Sequence, residues 1–246
     1  NPDNYRTRLS GKTLAMIFQK KSTRTRVSFE VGISQLGGTG LFLSSADIQI
    51  GRGETIADTS RVLSRYVDII MARVYGHEVL EEMAEHASVP VINGLSDALH
   101  PCQVLADLQT IDEHFGRTEG LKLAYIGDGN NMAHSLLFGC AHFGMTVCIA
   151  HPEGYAPDPA VVAAAEGLAR GSGGAVELTT DPMAGALAAD VLYTDVWASM
   201  GQEDEAAERL ARFQGFQVDE ALMAKAERNA IFMHCLPAHR GEEVSR

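Results

Sequence analysis

Residues 13–38 read TLAMIFQKKSTRTRVSFEVGISQLGG, and the order of chemistry along them decides the fold. Thr13–Phe18 is an unbroken apolar run of strand length, the pattern of a strand buried on both faces. Lys20–Arg26 is a basic, hydroxyl-rich island in an otherwise acidic chain. Between Val27 and Leu36 the periodicity is divided: Val27, Phe29, Val31 and Ile33 alternate as in a strand, whereas Phe29, Ile33 and Leu36 fit one face of a helix. A strand followed by a helix suits the rest of the chain. Apolar runs at Leu41–Leu43, Asp68–Ala72 and Val89–Ile92 alternate with helical stretches at Thr55–Tyr66 and Glu78–Ala87.

Further along, Cys102–Phe115 places Val104, Leu108, Ile111 and Phe115 on one helix face, with Pro101 in its first turn. The pattern breaks over Phe115–Gly120, and a second alternating series begins. Strands are expected at Leu121–Ile126, Val147–Ala150, Val176–Leu178, Val191–Tyr193 and Ala230–His234. Helices are expected over 132–143 and Pro159–Arg170, and Gly171–Gly174 reads as a small flexible patch. The expected fold class is therefore α/β: two doubly wound domains, 1–116 and 117–246, each a mostly parallel sheet flanked by helices. In such sheets ligands lie outside the carboxyl ends of the strands. The polar clusters fall at those ends, at 19–26, 73–77, 93–103, 127–131, 194–202 and 234–240, which points to one site in the cleft between the domains.

Composition narrows the function. A formal net charge of −12 over 246 residues argues against nucleic-acid or anionic-membrane partners, though not against a small anion held by a local field. Cysteines at 102, 140, 148 and 235 fit neither a zinc nor a disulfide spacing, which suits reduced thiols, a cytoplasmic setting and no metal. No apolar run approaches membrane-spanning length, and the chain starts at Asn1 rather than Met, which leaves room for a presequence (mitochondrial, for example) or a first helix before this numbering.

Six clusters carry candidate chemistry. Ser22, Thr23, Arg24 and Thr25 open a helix, where unpaired N–H groups and the helix dipole favour a phosphate; a plain Ser/Thr cap with solvated arginines is an even alternative. His100 and Gln103 lie across one helical turn, able to donate to a carbonyl oxygen and accept from an amide NH2, or else merely to cap a helix. Arg73 ends a strand, either facing a bound anion or solvated at the surface. Gly127–Asn131 begins like a dinucleotide fingerprint but lacks its third glycine, and no acidic residue follows at Ile149–His151, so a nicotinamide cofactor is a weak reading. Asp195 precedes a polar, glycine-containing loop suited to a mobile lid; its carboxylate would bind an ammonium group or is an ordinary acidic loop residue. Cys235 follows the last strand beside His234, as inert packing or as a thiol that orients or relays a proton.

Taken in order these segments are specific. FQKKSTRTR (18–26), MARVYGH (71–77), HPCQVLADLQT (100–110), GDGNN (127–131), TDVWASMGQE (194–203) and HCLPAHRG (234–241) resemble the successive signature segments of the aspartate/ornithine carbamoyltransferase family. The likeness runs from about Leu9 to Val244, and the Ser199-Met200-Gly201 loop and His234–Pro237 are similar to the ornithine branch. It implies a carbamoyl-phosphate-binding domain followed by an ornithine-binding one, and transfer of the carbamoyl group to the δ-amine of L-ornithine, a step of arginine biosynthesis or the urea cycle, without metal or organic cofactor. By the same resemblance Ser22, Thr23, Arg24, Thr25, Arg73, His100 and Gln103 hold carbamoyl phosphate, with Cys235 and Leu236 beside it. Gln49 would reach a neighbouring subunit's site in a homotrimer or a multiple of trimers. Asn131, Asp195, Ser199 and Met200 would bind ornithine, and Arg73, His100, Asp195 and Cys235 would be the catalytic set. The family's N-terminal helix and its C-terminal segment, which carries an arginine to carbamoyl phosphate, would both lie outside these 246 residues. Aspartate as acceptor would need cationic groups where Asp195–Gln202 offers acid. Putrescine shares the amine but lacks the carboxylate that Asn131 and the Ser199-Met200 pair would suit.

Overall fold

The computed structural model describes residues 2–46, 48–50, 53–199 and 203–246. The chain forms two compact units, Asn1–Cys102 and Gln103–Arg246.

In the first unit, β1 (Thr13–Phe18) leads into α1 (Thr23–Gln35) and β2 (Thr39–Ser44). Then come α2 (Ile56–Leu63), β3 (Ile69–Arg73), α3 (His77–His86) and β4 (Val91–Leu95). All pairings are parallel, in the order β2-β1-β3-β4. β1 is central, which explains its apolar run: Leu14, Ala15, Met16, Ile17 and Phe18 are all buried, their side chains divided between two clusters on opposite faces. Phe18 pairs with Ser44 on one side and Arg73 on the other, so the carboxyl ends of β1 and β3 lie together. Strand order turns back at this pair, with the chain leaving β1 for β2 on one side before returning as β3 on the other. Such a switch point is where the loops part and a ligand can approach.

The divided stretch after Arg26 is helical. Ile33 is its buried position, while Val27 and Val31 are exposed, so two of the residues that mimicked strand alternation take no part in the core.

α4 (Pro101–Phe115) begins in the first unit and continues into the second. The second unit runs β5 (Lys122–Ile126), α5 (Asn131–His142), β6 (Thr146–Ala150), α6 (Pro159–Ser172) and β7 (Ala175–Thr179). It continues through α7 (Pro182–Ala186), β8 (Val191–Thr194), α8 (Ala206–Arg212), α9 (Glu220–Met223) and β9 (Ile231–His234). Its sheet is also parallel, in the order β7-β6-β5-β8-β9, with the switch between β5 and β8. Thr194 pairs with His234, and the Thr194 hydroxyl donates to Ile126 O at 2.6 Å. The residues that follow these three strand ends, Gly127, Asp195 and Cys235, therefore leave one edge of the sheet.

Gly171–Gly174 is not a flexible patch. α6 runs through Ser172, and Gly173 closes it in the left-handed conformation (φ 85°), the ordinary use of a glycine at a helix end. α7, α8 and α9 were invisible as helices because four to seven residues carry too little periodicity to read.

Ile17 is fully buried in the central strand of its sheet. Ile17→Ala should cost about 2–5 kcal/mol, read as a lower urea midpoint for the first unit. An unchanged midpoint would contradict its place in the core.

Candidate active site

The first unit builds a cationic, donor-rich corner at its switch point. Ser22 is extended (φ −162°, ψ 120°) and caps α1: its Oγ accepts from Thr25 N at 3.2 Å, and its hydroxyl donates to Thr25 Oγ1 at 3.0 Å. Arg73, buried at the end of β3, donates from Nη1 to the same Thr25 oxygen at 3.5 Å. Thr23 and Arg24 are exposed in the first turn, which holds no acidic residue. A helix start with free N–H groups beside a planar guanidinium is a place where a phosphate is stabilised.

The two loops around this corner are tied to each other. Gln19 N donates to Arg73 O at 2.9 Å, and Tyr75 N donates to Gln19 Oε1 at 3.2 Å. Lys20 is buried, ion-paired with Asp97, and stands 4.6 Å from the centre of the Tyr75 ring. Arg26 pairs with Glu30 at 3.2 Å and lies 3.7 Å over the Phe42 ring, so its charge braces the helix against β2. Two of the island's cations are thus engaged by the fold itself.

His100 stands just before α4. Burial, and next the positive charge of Arg73, push its pKa down to about 4. The ring is neutral near pH 7 and can give one N–H to an oxygen without bringing a charge. Gln103, in the first turn of α4, donates from Nε2 to Asp107 Oδ1 at 2.9 Å. Gln49 is exposed ahead of the Ile50–Glu54 bridge, and among the described residues no hydrogen bond joins it to Ser22–Thr25.

In the second unit the centre is Asp195. Its buried carboxylate accepts from Val196 N at 2.8 Å and from the Cys235 thiol at 2.9 Å through Oδ1, and from Asn130 Nδ2 at 3.3 Å through Oδ2. Asn130 also caps α5, its Oδ1 accepting from Met132 N at 2.9 Å and Ala133 N at 3.3 Å, while Asn131 is the first residue of the helix. Burial, and next the Asp195 carboxylate, push the Cys235 thiol up, so it stays protonated and serves as a donor rather than a thiolate nucleophile. Leu236 has φ 60°, and its N–H donates to His234 Nδ1 at 2.8 Å. His234 therefore carries its proton on Nε2 and gives it to Glu243 Oε1 at 3.1 Å.

Ser199 is half-buried in the loop after Asp195, and Met200 lies outside the described residues. The near part of that loop is held by Arg209, whose Nη1 donates to Asp128 at 2.7 Å and Trp197 O at 3.1 Å, and whose Nε donates to Glu205 at 3.0 Å. Sequence reasoning missed Arg209, Glu243 and Asp107. For Asp107 a signal was present: a carboxylate set among Val104, Leu108 and Ile111 on the core face of a helix.

The glycines of Gly127–Asn131 have a local explanation. A Cβ on Gly129 would fall 2.2 Å from Pro157 N and 2.3 Å from Ala156 C, so the segment 155–157 occupies the space that a dinucleotide phosphate would need. Among the described residues two clusters have the donor types of a metal site, Asp195-His234-Cys235 and His239-Glu242-Glu243. In the first each donor already has a protein partner, which a cation would have to displace.

Two family models match the chain: "Aspartate/ornithine carbamoyltransferase, carbamoyl-P binding domain" over residues 1–113, and "Aspartate/ornithine carbamoyltransferase, Asp/Orn binding domain" over residues 119–246. Ornithine carbamoyltransferase of Thermococcus kodakarensis is 64% identical over 237 residues, covering 96% of this chain and 75% of that protein. The enzyme of the same name from Anoxybacillus flavithermus is 62% identical over 245 residues, covering 100% of this chain and 78% of its own. Among solved structures, ornithine carbamoyltransferase from Pyrococcus furiosus superposes with a TM-score of 0.93 at 60% identity, over 96% of this chain and 76% of that one. The anabolic ornithine carbamoyltransferase of Campylobacter jejuni does so with a TM-score of 0.91 at 44% identity, over 99% and 84%.

The depressed basicity of His100 is directly measurable. In the ligand-free protein its ring signals, followed by NMR, should not titrate between pH 8 and pH 5.5. A midpoint near the usual 6.5 would contradict the buried, Arg73-facing environment.

Proposed function

Because the chain belongs to the aspartate/ornithine carbamoyltransferase family, we infer that it transfers the carbamoyl group of carbamoyl phosphate to the δ-amine of L-ornithine, giving L-citrulline and phosphate. The observation that carries the choice of acceptor is the Asp195–Cys235 pair. A buried carboxylate backed by an un-ionised thiol attracts an ammonium-bearing substrate and repels the second carboxylate of aspartate.

In this reading residues 1–116 make up the domain that takes the phosphate. Ser22, Thr23, Arg24 and Thr25 bind it at the start of α1, with Arg73 alongside. When the amine attacks, charge develops on the carbonyl oxygen and then on the departing phosphate. Arg73 and the neutral His100 donate to the first, and Arg24 and the α1 N–H groups to the second. One such donor is worth about 10²–10³ in turnover. Gln103 accepts from the carbamoyl NH2. Residues 117–246 make up the domain that takes ornithine: Asn131, Ser199 and Met200 hold the amino-acid end, while Asp195 and Cys235 receive the δ-amine. Leu236, turned outward by its left-handed backbone and half-exposed, offers a backbone contact to the carbamoyl group. Phosphate is a good leaving group, and holding amine and carbonyl at attack distance supplies much of the remaining rate.

The protein is further proposed to work as a homotrimer or a multiple of trimers, with Gln49 serving a neighbouring subunit; light scattering should return a mass of three chains or a multiple. Four free cysteines and the lack, among the described residues, of a helix long and apolar enough to cross a membrane suit the cytoplasm.

The deciding assay is citrulline formation from carbamoyl phosphate and ornithine, with aspartate and putrescine as alternative acceptors. Turnover with ornithine alone is expected, and preference for either alternative would overturn the assignment. Asp195→Asn should lower turnover by about 10²–10⁴, as loss of an amine-activating carboxylate demands. Cys235→Ser should lower turnover as well. Wild-type turnover in both variants would remove these residues from the proton path.

A further inference from the structure

Asp107 is a carboxylate in the wrong place for a structural residue. It lies on α4 one turn beyond Gln103, 5% exposed, and among the described residues no cation pairs with it. Burying an unpaired carboxylate is costly, and a fold keeps one where its acceptor character is needed. Both oxygens are used. Oδ1 accepts from Gln103 Nε2 at 2.9 Å, and Oδ2 accepts from the Tyr193 hydroxyl at 3.0 Å.

The consequence falls on Gln103. A carboxylate accepts and cannot donate, so the glutamine must turn its NH2 toward Asp107. Its Oε1 then faces away as an acceptor with a settled orientation. A carbamoyl group carries an NH2, a donor, where an acetyl group of similar size carries a methyl. Resting on the reading above that Gln103 meets the carbamoyl amide, we propose that Asp107 is a positioning residue: it fixes the Gln103 amide so that its oxygen reads the carbamoyl NH2, and so selects carbamoyl over acyl phosphates that lack an N–H.

An asparagine separates this role from a structural one. In Asp107→Asn the fully buried Tyr193 hydroxyl, whose acceptor is Asp107, keeps a place for its proton when the new Oδ1 faces it, and this turns the new NH2, a donor, toward Gln103. Gln103 must answer with its oxygen and present its own NH2 to the substrate, donor against donor. Packing and volume are nearly unchanged. What inverts is the polarity offered to the carbamoyl group.

The experiment measures the KM for carbamoyl phosphate in citrulline formation and the Ki of acetyl phosphate against it, in wild type, Asp107→Asn, Tyr193→Phe and Gln103→Ala. Selectivity is the ratio of that Ki to that KM. In Asp107→Asn it should fall about tenfold or more through KM, with the acetyl phosphate Ki within about twofold of wild type. Tyr193→Phe keeps the Asp107–Gln103 bond and should keep the selectivity. If KM and Ki rise together in Asp107→Asn, or neither moves, Asp107 does not position Gln103 and the proposal fails. If Gln103→Ala itself keeps wild-type selectivity, Gln103 does not read the carbamoyl group, and the reading falls together with the proposal. If Gln103→Ala loses selectivity and Asp107→Asn keeps it, only the proposal falls.

A spectroscopic measurement on wild type stands even if Asp107→Asn does not fold. Burial raises the Asp107 pKa to about 6, the larger effect, against the opposing bonds from Gln103 and Tyr193. The other titratable groups that face it are Tyr193 from β8, Cys140 from α5 and Cys235 after β9, all with raised pKa values and so protonated through this range. The Gln103 side-chain amide signals, identified by their loss in Gln103→Ala, should therefore shift with a midpoint near pH 6. Signals that stay put from pH 8 to pH 5 would overturn the coupling.

Discussion

A parallel sheet delivers all its strands' carboxyl ends to one edge, and where the strand order turns back the loops leaving two neighbouring strands must part to opposite faces. Each unit of this protein meets that constraint once, between β1 and β3 and between β5 and β8. Everything chemical depends on it. Ser22 and Arg73 share Thr25 because Phe18 and Arg73 are paired neighbours. Asp195, Asn130 and Cys235 share hydrogen bonds because the strands before them end in register. The sites are assembled from residues 40 to 65 positions apart without any loop having to reach far.

Burial then sets what these groups can do. His100, buried beside Arg73, loses its charge and becomes a neutral donor. Cys235 keeps its proton beside Asp195 and acts as a donor to the carboxylate. Asp107 and Asp195 are both buried acids, yet their surroundings differ. Asp195 sits at a strand end with a backbone N–H, a thiol and an amide around it, whereas Asp107 sits within the apolar face of a helix. Low local polarity is what makes the orientation of a single glutamine amide matter.

The glycines teach a related lesson. Gly127-Asp128-Gly129 looks like the start of a phosphate-cradling loop because such loops need glycine for close approach. Here the close approach is made by the protein's own chain, with Gly129 N donating to Tyr155 O at 2.9 Å and the 155–157 backbone against its Cα. Sequence can show that a glycine is needed there; which atoms demand it is a matter of packing.

Residue order by itself determined the alternation of strand and helix, the two parallel sheets, and the gathering of polar residues at strand ends. These follow from periodicity and from chemistry between near neighbours, which a linear reading sees. It left Val27–Leu36 undecided between helix and strand, because two apolar side chains there face solvent, and it took the end of α6 for a flexible patch, because the left-handed conformation of Gly173 marks a cap only once the helix is known. Only the tertiary structure decided which charges survive. It disclosed the Asp107–Tyr193 bond across 86 residues, the thiol of Cys235 held against Asp195 across 40, and the clamp of Arg209 on Asp128 across 81. Protonation and amide orientation depend on the loss of water and on partners brought together from distant segments, and neither exists until the chain has folded.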